Sequence, residues 1–414
     1  MKHVYTSIDI GSDSIKVVVC ELFNNKLNLL AASSVKSRGI KKGLITDGNE
    51  ASVSLKKAIK EVEDMLGIKI KKVLATIPNY FSEFIIVKGN KEYEEETLIT
   101  GEEIVNLFQD VIRDTDKKDK EMVTLIPIDF IVDDQTGIKD PKGLTGTHFA
   151  TRAVMVLTPK KNILSVVTLL ENVGLEVVDV NLTSIGDMGS VKDKDIKDGV
   201  GAIINIGHET TSISLYNKGI IVNNSMIGIG GKNIENDISY MYKVTPSDAI
   251  KIKEKFALAH KKYASKSDFY EVTNKMGESI KISQFEVSEV VMARIEEILV
   301  LARKEINVLT KRDIDYILIT GGTSSMTNFS LIAEEVLGDI AKVGSIRLVG
   351  LRNNKYSACV GNIAYFISKL KLKGKLYSMI SKNDMEDLSS SKNGVLSVSD
   401  ESMLGKVFGY FFSE

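Results

Sequence analysis

The sequence predicts an α/β protein of two similar lobes, with a small α+β subdomain inserted in the first lobe. Segments typical of strands and helices alternate along most of the 414 residues. A series of strand, small-residue turn, two strands and a helix spans residues 4–66, and a similar series begins at residue 200. We expect the first lobe at residues 1–83 and 158–187, the inserted subdomain at 84–157 and the second lobe at 188–377.

The predicted first lobe begins with three successive strands, the last two joined by a turn at Asn24-Asn25. An amphipathic helix follows, in which apolar residues recur at helical spacing and which Gly67 ends. The predicted elements are strands at residues 4–10, 15–22, 26–35, 73–77 and 177–180 and helices at 49–66 and 161–173.

The inserted subdomain is predicted from its own cap and turn signals. Thr100, followed three residues later by Glu103, is typical of a helix N-terminus, and the acidic residues 92–96 indicate a loop. The predicted elements are strands at residues 84–87, 123–132 and 152–157 and a helix at 100–113.

The second lobe repeats the pattern of the first and then extends it with helices. The helix after the repeat places Ile234, Ile238 and Met241 on one face, and residues 261–281 are predicted as a polar excursion. The remaining elements are strands at residues 200–207, 212–216, 220–225 and 314–319 and helices at 246–255, 285–309, 328–337 and 357–370.

The first strand ends in a turn, Asp9-Ile10-Gly11-Ser12, that carries groups suited to a phosphate. Gly11 has no Cβ, so the backbone can approach a ligand and the flanking N–H groups can point at an anion. Ser12 supplies a hydroxyl group, Lys16 a cation and Asp9 a carboxylate suited to hydrated Mg²⁺. Plain hairpins use the same turn residues, so this stretch alone leaves both interpretations open.

Two further glycine-containing strand ends favour the phosphate interpretation. Asn205-Ile206-Gly207 has the same place in the second series as Asp9-Ile10-Gly11 has in the first. Two such turns can hold one polyphosphate from both sides of a cleft. A third turn, Gly321-Gly322, ends a later strand at a point where the backbone can lie flat under a nucleoside.

Composition and charge exclude several classes of protein. A formal net charge of -1 gives no electrostatic case for nucleic acid as a partner. Cys20 and Cys359 lie in apolar segments and predict buried thiols, and the 4 scattered histidines argue against a zinc centre. No window reaches the roughly 18 apolar residues of a spanning helix, and the first residues lack the apolar core of a signal peptide. We expect a cytoplasmic protein with at most peripheral membrane contact.

The core pattern stops at residue 378, and residues 378–402 predict a disordered linker. Residues 403–414 then place large apolar side chains on one face of a short helix, with Gly405, Lys406 and Gly409 on the other. Such a helix can lie in a lipid interface, and docking on the protein's own core is the alternative. The expected membrane-contacting residues are Met403, Leu404, Val407, Phe408, Phe411 and Phe412.

Three segments resemble the FtsA family of cell-division proteins, within the superfamily of actin, sugar kinases and chaperone ATPases. They are residues 39–47 (GIKKGLITD), residues 126–146 in the inserted subdomain, and residues 228–238 (GIGGKNIENDI). The resemblance covers nearly the whole chain, and the inserted block together with the apolar tail separates this family from actin and the kinases. It implies an actin-like fold of two ribonuclease H-like lobes around a nucleotide.

The resemblance implies ATP and Mg²⁺ as cofactors. It places Asp9 near Mg²⁺, through water, and Lys16 near the phosphates. Lys253 and Glu254 fall where the family holds the ribose and base, with a solvated helix face as the alternative for both. The residues expected to bind the nucleotide are Asp9, Gly11, Ser12, Asp13, Lys16, Asn205, Gly207, Thr210, Gly230, Gly231, Lys253, Glu254, Gly321, Gly322 and Thr323.

Two departures from the family pattern concern hydrolysis. The second phosphate loop usually begins with Asp and here begins with Asn205, and the segment between the lobes usually offers a Glu where this chain has Asn181. An amide can hold a Mg²⁺-bound water but is a poor general base. The sequence therefore predicts ATP binding with at most a slow ATPase activity, and Asp179 and Asp187 are the alternative bases.

The resemblance further implies an actin-like filament on the cytoplasmic face of the membrane at the division septum. There it would tie FtsZ filaments, the Z-ring, to the bilayer and recruit later division proteins through the inserted subdomain. The FtsZ contact is expected around residues 233–310, and the lipid contact in the C-terminal helix. Two alternatives are a small-molecule kinase of the superfamily and an actin-like adaptor of a pilus or secretion system.

Overall fold

The computed structural model describes residues 3–115, 119–191, 199–381 and 385. A five-stranded sheet lies at the centre of each lobe, and a four-stranded sheet lies in the inserted subdomain. The elements, in chain order, are β1 (His3–Ile10), β2 (Ser14–Phe23), β3 (Lys26–Lys36), β4 (Ile40–Lys41), β5 (Leu44–Ile45), α1 (Gly48–Leu66), β6 (Lys72–Ile77), β7 (Glu83–Leu98), α2 (Gly101–Asp114), β8 (Lys120–Val132), β9 (Gln135–Ile138), β10 (Thr145–Pro159), α3 (Lys160–Glu171), β11 (Glu176–Leu182), α4 (Thr183–Val191), β12 (Val200–Ile206), β13 (Thr211–Asn217), β14 (Ile220–Ile227), α5 (Gly231–Tyr242), α6 (Pro246–Lys255), β15 (Phe269–Thr273), β16 (Ser279–Ser283), α7 (Gln284–Leu309), β17 (Tyr316–Thr320), α8 (Phe329–Leu337), β18 (Ala341–Val343) and α9 (Ser357–Leu372).

The sheet of the first lobe has the order β11-β6-β1-β2-β3, with β1 antiparallel to β2 and parallel to β6. Helix α1 covers one face, where Leu55 and Val62 share a buried core with Ile8. The opposite face is covered as well, so most residues of β1 and β2 are buried. Asp47 caps α1 and Gly67 ends it with φ 72°, which confirms the predicted end of the helix.

The inserted subdomain has an antiparallel sheet in the order β7-β10-β8-β9, with α2 packed on one face. The hydroxyl group of Thr100 accepts the N–H of Glu103 at 3.3 Å, which confirms the predicted cap. The acidic loop predicted at residues 92–96 is wrong, because this stretch belongs to β7. Glu92 and Glu94 are exposed while Tyr93 packs toward α2, so the charges mark the solvent face of a strand.

The second lobe has a sheet in the order β14-β13-β12-β17-β18, with α5 to α8 packed on it. Ile234 and Ile238 are fully buried as predicted, but Met241 is 62% exposed because it lies in the last turn of α5. The polar excursion predicted at residues 261–281 contains the hairpin β15–β16. In β15, exposed residues alternate with the partly buried Tyr270 and Val272, but the apolar Phe269 is 53% exposed and breaks the polar–apolar alternation in the sequence.

Helix α9 falls in the range predicted for the second lobe, residues 188–377, but packs on the sheet of the first lobe. Its Cys359, Ile363 and Phe366 are buried with Tyr5 of β1. The chain therefore returns to the first lobe after β18. The apolar pattern predicts that this helix is buried but does not tell which sheet buries it.

The folded part continues past residue 378, where the core pattern was predicted to stop. The side chain of Met379 is 4% exposed, and its N–H donates to the carbonyl of Val4 at 2.9 Å. Of the predicted linker, residues 382–384 and 386–402 lie outside the described residues, as does the predicted helix at 403–414. Among the helices that are described, none combines the length and the apolar character needed to cross a bilayer.

Candidate functional site

A cleft of about 470 Å³ lies between the two lobes, at the ends of β1 and β12. These strands occupy equivalent positions, since each pairs antiparallel with the next strand and parallel with a later one. All the predicted nucleotide-binding residues line the cleft except Gly230 and Gly231. The two glycine turns proposed from the internal repeat therefore face each other across one space.

Asp9 is held at the end of β1 by donors from two neighbouring strands. Lys16 Nζ lies 2.8 Å from Asp9 Oδ2, and Thr76 Oγ1 donates to Asp9 Oδ1 at 2.6 Å. Burial lowers the pKa of Lys16, but the attraction of Asp9 outweighs burial and raises that pKa above its ordinary value. Thr76 was not identified from the sequence, because only the parallel pairing of β6 with β1 brings it to this site.

A side chain at Gly11 would crowd the turn after β1. A Cβ atom on Gly11 would lie 2.8 Å from Lys16 Nζ and 3.1 Å from the carbonyl oxygen of Ser14. The hydroxyl oxygen of Ser12 accepts the N–H of Gly43 at 2.7 Å, and Asp13 pairs with Lys36 at 2.6 Å. Asp13 is thus tied to a cation at the rim, whereas Asp9 lies deeper.

The turn after β12 is supported from behind by the start of α5. The N–H of Gly207 donates to the carbonyl of Thr210 at 3.0 Å, and the N–H of Gly231 donates to the carbonyl of Gly207 at 2.9 Å. A Cβ atom on Gly230 would lie 2.6 Å from Gly207 O. Gly230 and Gly231 therefore allow the helix to approach the loop, and they do not line the cleft.

A buried carboxylate on α5 joins two cleft residues that lie far apart in the chain. Glu235 Oε1 lies 2.5 Å from Lys253 Nζ, and Glu235 Oε2 lies 3.0 Å from His208 Nε2. Burial raises the pKa of Glu235, but His208 and Lys253 together lower it below its ordinary value. Glu235 and His208 were missed in the sequence, although Glu235 falls three residues before Ile238 on the buried face of α5.

The third turn brings backbone from β17 to the cleft. Gly321 has φ 87°, and a Cβ atom there would lie 2.5 Å from both Asn205 Oδ1 and the carbonyl oxygen of Ile206. Gly322 and Thr323 follow it on the cleft wall. Lys253 is 7% exposed and Glu254 is exposed at the rim, so the solvated-face alternative is wrong for Lys253.

Asn205 binds a buried carboxylate beneath the cleft. Its Nδ2 donates to Asp187 Oδ2 at 2.6 Å, and Ser357 Oγ donates to Asp187 Oδ1 at 2.5 Å. Burial raises the pKa of Asp187 to about 7, although both hydrogen bonds lower it, and the charge of Asp9 raises it further. The Asp187 side chain is 1% exposed and does not line the cleft.

The free energy of unfolding is expected to depend on pH through Asp187. Its pKa is about 7 in the folded state against 3.8 ordinarily, so the folded state binds a proton that the unfolded state releases. The contribution of Asp187 therefore falls as pH rises from about 4 to about 7 and stays constant above that. The native protein should lose about 2–4 kcal/mol of its free energy of unfolding over this pH range through Asp187. The variant Asp187→Asn, whose amide can bond both neighbours, should not show this loss. Urea unfolding of both proteins between about pH 4.5 and 7.5 measures this difference. If the free energies of unfolding of the two proteins change with pH in parallel, the prediction is wrong.

Asn181 does not face the nucleotide cleft, contrary to the sequence prediction. The side chain is fully buried, and its Nδ2 donates to Asn362 Oδ1 on α9 at 3.0 Å. Asp179, one of the alternative bases, forms an ion pair with Lys369 at 2.8 Å and does not line the cleft either. Both residues connect β11 to α9, because β11 ends beside that helix and below the cleft.

A backbone contact also joins the two lobes beside the two turns. The backbone N–H of Lys42, in the β4–β5 turn, donates to Glu209 Oε2 at 2.6 Å. Glu209 Oε1 also lies 2.5 Å from Lys232 Nζ. Burial raises the pKa of Glu209, but these donors lower it below its ordinary value.

Two related sheets that face each other across a cleft define the class as actin-like. MreB5 of Spiroplasma citri bound to ADP has a TM-score of 0.56 and 14% identity, over 90% of this chain and 98% of that one. A structure of the PilM-PilN type IV pilus biogenesis complex has a TM-score of 0.56 and 12% identity, over 87% of this chain and 98% of that one. These identities show a shared fold alone, and they confirm the predicted fold class.

Sequence comparisons identify the family within this class. Residues 202–361 match the family model for cell division protein FtsA, and residues 83–157 match the SHS2 domain inserted in FtsA. FtsA of Bacillus subtilis (strain 168) is 27% identical over 386 residues, covering 90% of this chain and 86% of that protein. FtsA of Streptococcus pneumoniae serotype 2 is 28% identical over 356 residues, covering 85% of this chain and 78% of that protein. The chain belongs to the FtsA family of cell division proteins.

Proposed function

We propose that this chain binds ATP with Mg²⁺ between its lobes and forms an actin-like polymer that ties FtsZ to the division membrane. Membership of the FtsA family supports the role in division. It also favours this role over a small-molecule kinase or a pilus or secretion adaptor. The observation that carries nucleotide binding is the pair of opposed turns, residues 9–12 and 207–210, on equivalent strands of the two sheets.

The chemistry of the cleft fits ATP and Mg²⁺. Lys16 and Lys253 line the cleft in ion pairs with Asp9 and Glu235, whereas Lys355 lines it without an ion pair among the described residues, and burial together with Lys16 lowers the pKa of Lys355. Such charge suits a polyphosphate. The carboxylate of Asp9 is a hard oxygen ligand of the kind Mg²⁺ prefers, and bound Mg²⁺ would neutralise phosphate charge. Within the described residues no three His, Cys, Asp or Glu side chains cluster, so phosphate and water would complete the coordination.

We further propose that ATP serves mainly to hold the two lobes together, with hydrolysis slow at most. Asn205 lies on the cleft wall but donates its amide to Asp187. Neither of the alternative bases, Asp179 and Asp187, lines the cleft. A general base needs to reach the attacking water within hydrogen-bond distance, directly or through one water.

An exposed apolar surface on the second lobe supports a protein contact in the range proposed for FtsZ, residues 233–310. Tyr240 and Met241 at the end of α5 are 88% and 62% exposed, and Met276 in the β15–β16 turn is 64% exposed. The N–H of Lys275 donates to the carbonyl of Lys243 at 2.8 Å, which holds that turn against the end of α5. We propose this surface as the FtsZ contact. Alanine substitutions at Tyr240 and Met276 should weaken co-sedimentation with FtsZ filaments.

Membrane attachment is tested with the C-terminal segment. The variant Phe408→Asp in the full chain is expected to reduce the fraction that sediments with lipid vesicles by about ten-fold, because it places a charge on the proposed apolar face. The measurement is vesicle co-sedimentation with and without ATP and Mg²⁺, alongside a chain that ends at Ser402.

A matched control adds the same charge outside the proposed helix. Ser402→Asp is expected to leave vesicle binding unchanged. If the chain ending at Ser402 sediments as well as the full chain, the proposed attachment is wrong.

A further inference from the structure

We propose that the folded body makes a second membrane contact, through a basic surface on the first lobe opposite the cleft that binds anionic lipid headgroups. The surface, called here the basic end, consists of Lys26, Lys71, Lys371, Lys373 and Lys375. This contact is separate from the one proposed for the apolar C-terminal segment. It rests on the proposed function only because that function also places the protein on a bilayer.

Strand direction places these lysines at one end of the first sheet. Asp9 lies at the cleft end of β1, and His3 at the other end pairs with Leu22 just before the β2–β3 turn. Lys26 begins β3 directly after that turn. Lys71 immediately precedes β6, which runs parallel to β1, so it lies at the same end.

Helix α9 and the residues directly after it contribute the other three lysines at this end. Lys371 Nζ donates to Asn25 Oδ1 in the β2–β3 turn at 3.1 Å, which fixes the end of α9 beside that turn. Lys142 donates to the carbonyls of Lys371 and Leu372, at 2.8 and 3.3 Å, and caps the helix with a further cation. Lys373 and Lys375 follow directly.

The five lysines of the basic end form no ion pairs among the described residues, although Asp179 lies near Lys373 and the capping Lys142 pairs with Asp140 at 3.0 Å. Nearby lysines are paired, since Lys72 contacts Glu176 at 3.1 Å and Lys369 contacts Asp179 at 2.8 Å. For the five lysines of the basic end, no carboxylate of the described residues lies within the 4.0 Å of an ion pair. Burial lowers the pKa of Lys373, and the charges of Lys369 and Lys375 lower it further, although Asp179 raises it.

An anionic bilayer suits this surface better than an acidic protein, for two reasons. Leu376 is 79% exposed beside Lys375, and an apolar side chain among cations is typical of contact with a lipid interface. The last continuous described stretch of the chain also lies at this end, since the N–H of Met379 donates to the carbonyl of Val4 at the beginning of β1. A C-terminal segment in the membrane would therefore hold the basic end near the headgroups, and two weak contacts would reinforce each other.

The experiment compares two full-length triple variants with equal loss of charge. One carries Lys26→Gln, Lys371→Gln and Lys375→Gln, and all three positions are exposed. The control replaces the exposed lysines on α1, Lys56, Lys57 and Lys60, with Gln. Co-sedimentation is measured with phosphatidylcholine vesicles alone and with about 30% phosphatidylglycerol, at about 50 and about 500 mM salt.

The native chain is expected to bind the anionic vesicles about 25- to 125-fold more tightly than the neutral ones at low salt, since each lysine that reaches the headgroups contributes about five-fold and two or three do so at once. The basic-end variant should lose most of this preference, and the α1 variant should keep it. An unchanged preference in the basic-end variant, an equal loss in both variants, or no preference in the native chain would overturn the proposal and leave an acidic protein as the partner.

If the proposed C-terminal attachment is wrong, the vesicle measurements differ from those expected if the basic-end proposal is wrong. In that case Phe408→Asp binds both kinds of vesicle as the native chain does. Loss of the anionic preference in the basic-end variant alone would then still support the basic end.

Discussion

Replacing Asp9 with Asn is expected to abolish the dependence of ATP affinity on Mg²⁺. The variant keeps the shape of the side chain and the hydrogen bond from Thr76, but removes the negative charge that faces the cleft. A charge-assisted contact contributes about 2–3 kcal/mol, so affinity in the presence of Mg²⁺ should fall by about 30-fold or more. Calorimetric titration with ATP, with Mg²⁺ and with EDTA, measures both affinities.

Asp13→Asn is the matched control for this prediction. Asp13 lies four residues away in the same turn but pairs with Lys36 at the rim. Removing its charge should change the ratio of the two affinities by less than about three-fold, as expected for a partly exposed pair. If Asp9→Asn binds ATP with the native dependence on Mg²⁺, the metal is held elsewhere.

The turns of the cleft could be predicted from the sequence because each is local in the chain. Asp9, Gly11 and Ser12 are adjacent, and a strand followed by small residues indicates their conformation without knowledge of the fold. The recurrence at Asn205 and Gly207 then predicted that two turns act together. The structure places both turns on one cleft.

The supporting contacts could not be predicted, because they join residues that are distant in sequence. Glu235 meets His208 and Lys253 only after α5 and α6 pack on the second sheet. Thr76 reaches Asp9 through the parallel pairing of β6 and β1. A sequence pattern shows that an element is buried, but it does not identify the surface against which the element packs.

The placement of Asn181 was wrong for the same reason. The family pattern expects a water-orienting residue between the lobes, and the sequence supplies Asn181 at that point. In the fold, β11 ends beside α9, and the amide bonds Asn362 instead. The return of α9 to the first lobe is a long-range event that helical periodicity cannot reveal.

Replacing Gly361 with Ala is expected to destabilise the protein by at least about 3 kcal/mol. Helices α4 and α9 touch through their backbones, and a Cβ atom on Gly361 would lie 1.6 Å from the carbonyl oxygen of Gly186. The crossing is also tight from the other helix, since a Cβ atom on Gly189 would lie 2.6 Å from the carbonyl oxygen of Gly361. Alanine favours a helix by about 1 kcal/mol over glycine, but a clash with backbone forces the helices apart and outweighs that gain.

Urea unfolding measures the loss of stability, with Gly48→Ala as the control. Gly48 also lies in a helix, at the start of α1, and a Cβ atom there would meet nothing within 4 Å. This variant should stay within about 0.5 kcal/mol of the native protein, as substitutions without a specific contact usually do. Equal stability of Gly361→Ala and the native chain would contradict the close crossing.

The crossing should also matter for the nucleotide, because the same two helices hold the residue beneath the second turn. Asp187 on α4 bonds Ser357 on α9 and, on its other oxygen, Asn205 on the cleft wall. If Gly361→Ala separates the helices, Asn205 loses its fixed partner and the turns at Asp9 and Gly207 move relative to each other. We therefore expect ATP affinity to fall in this variant while Gly48→Ala binds ATP normally. A folded Gly361→Ala protein with native affinity would show that the crossing sets stability alone.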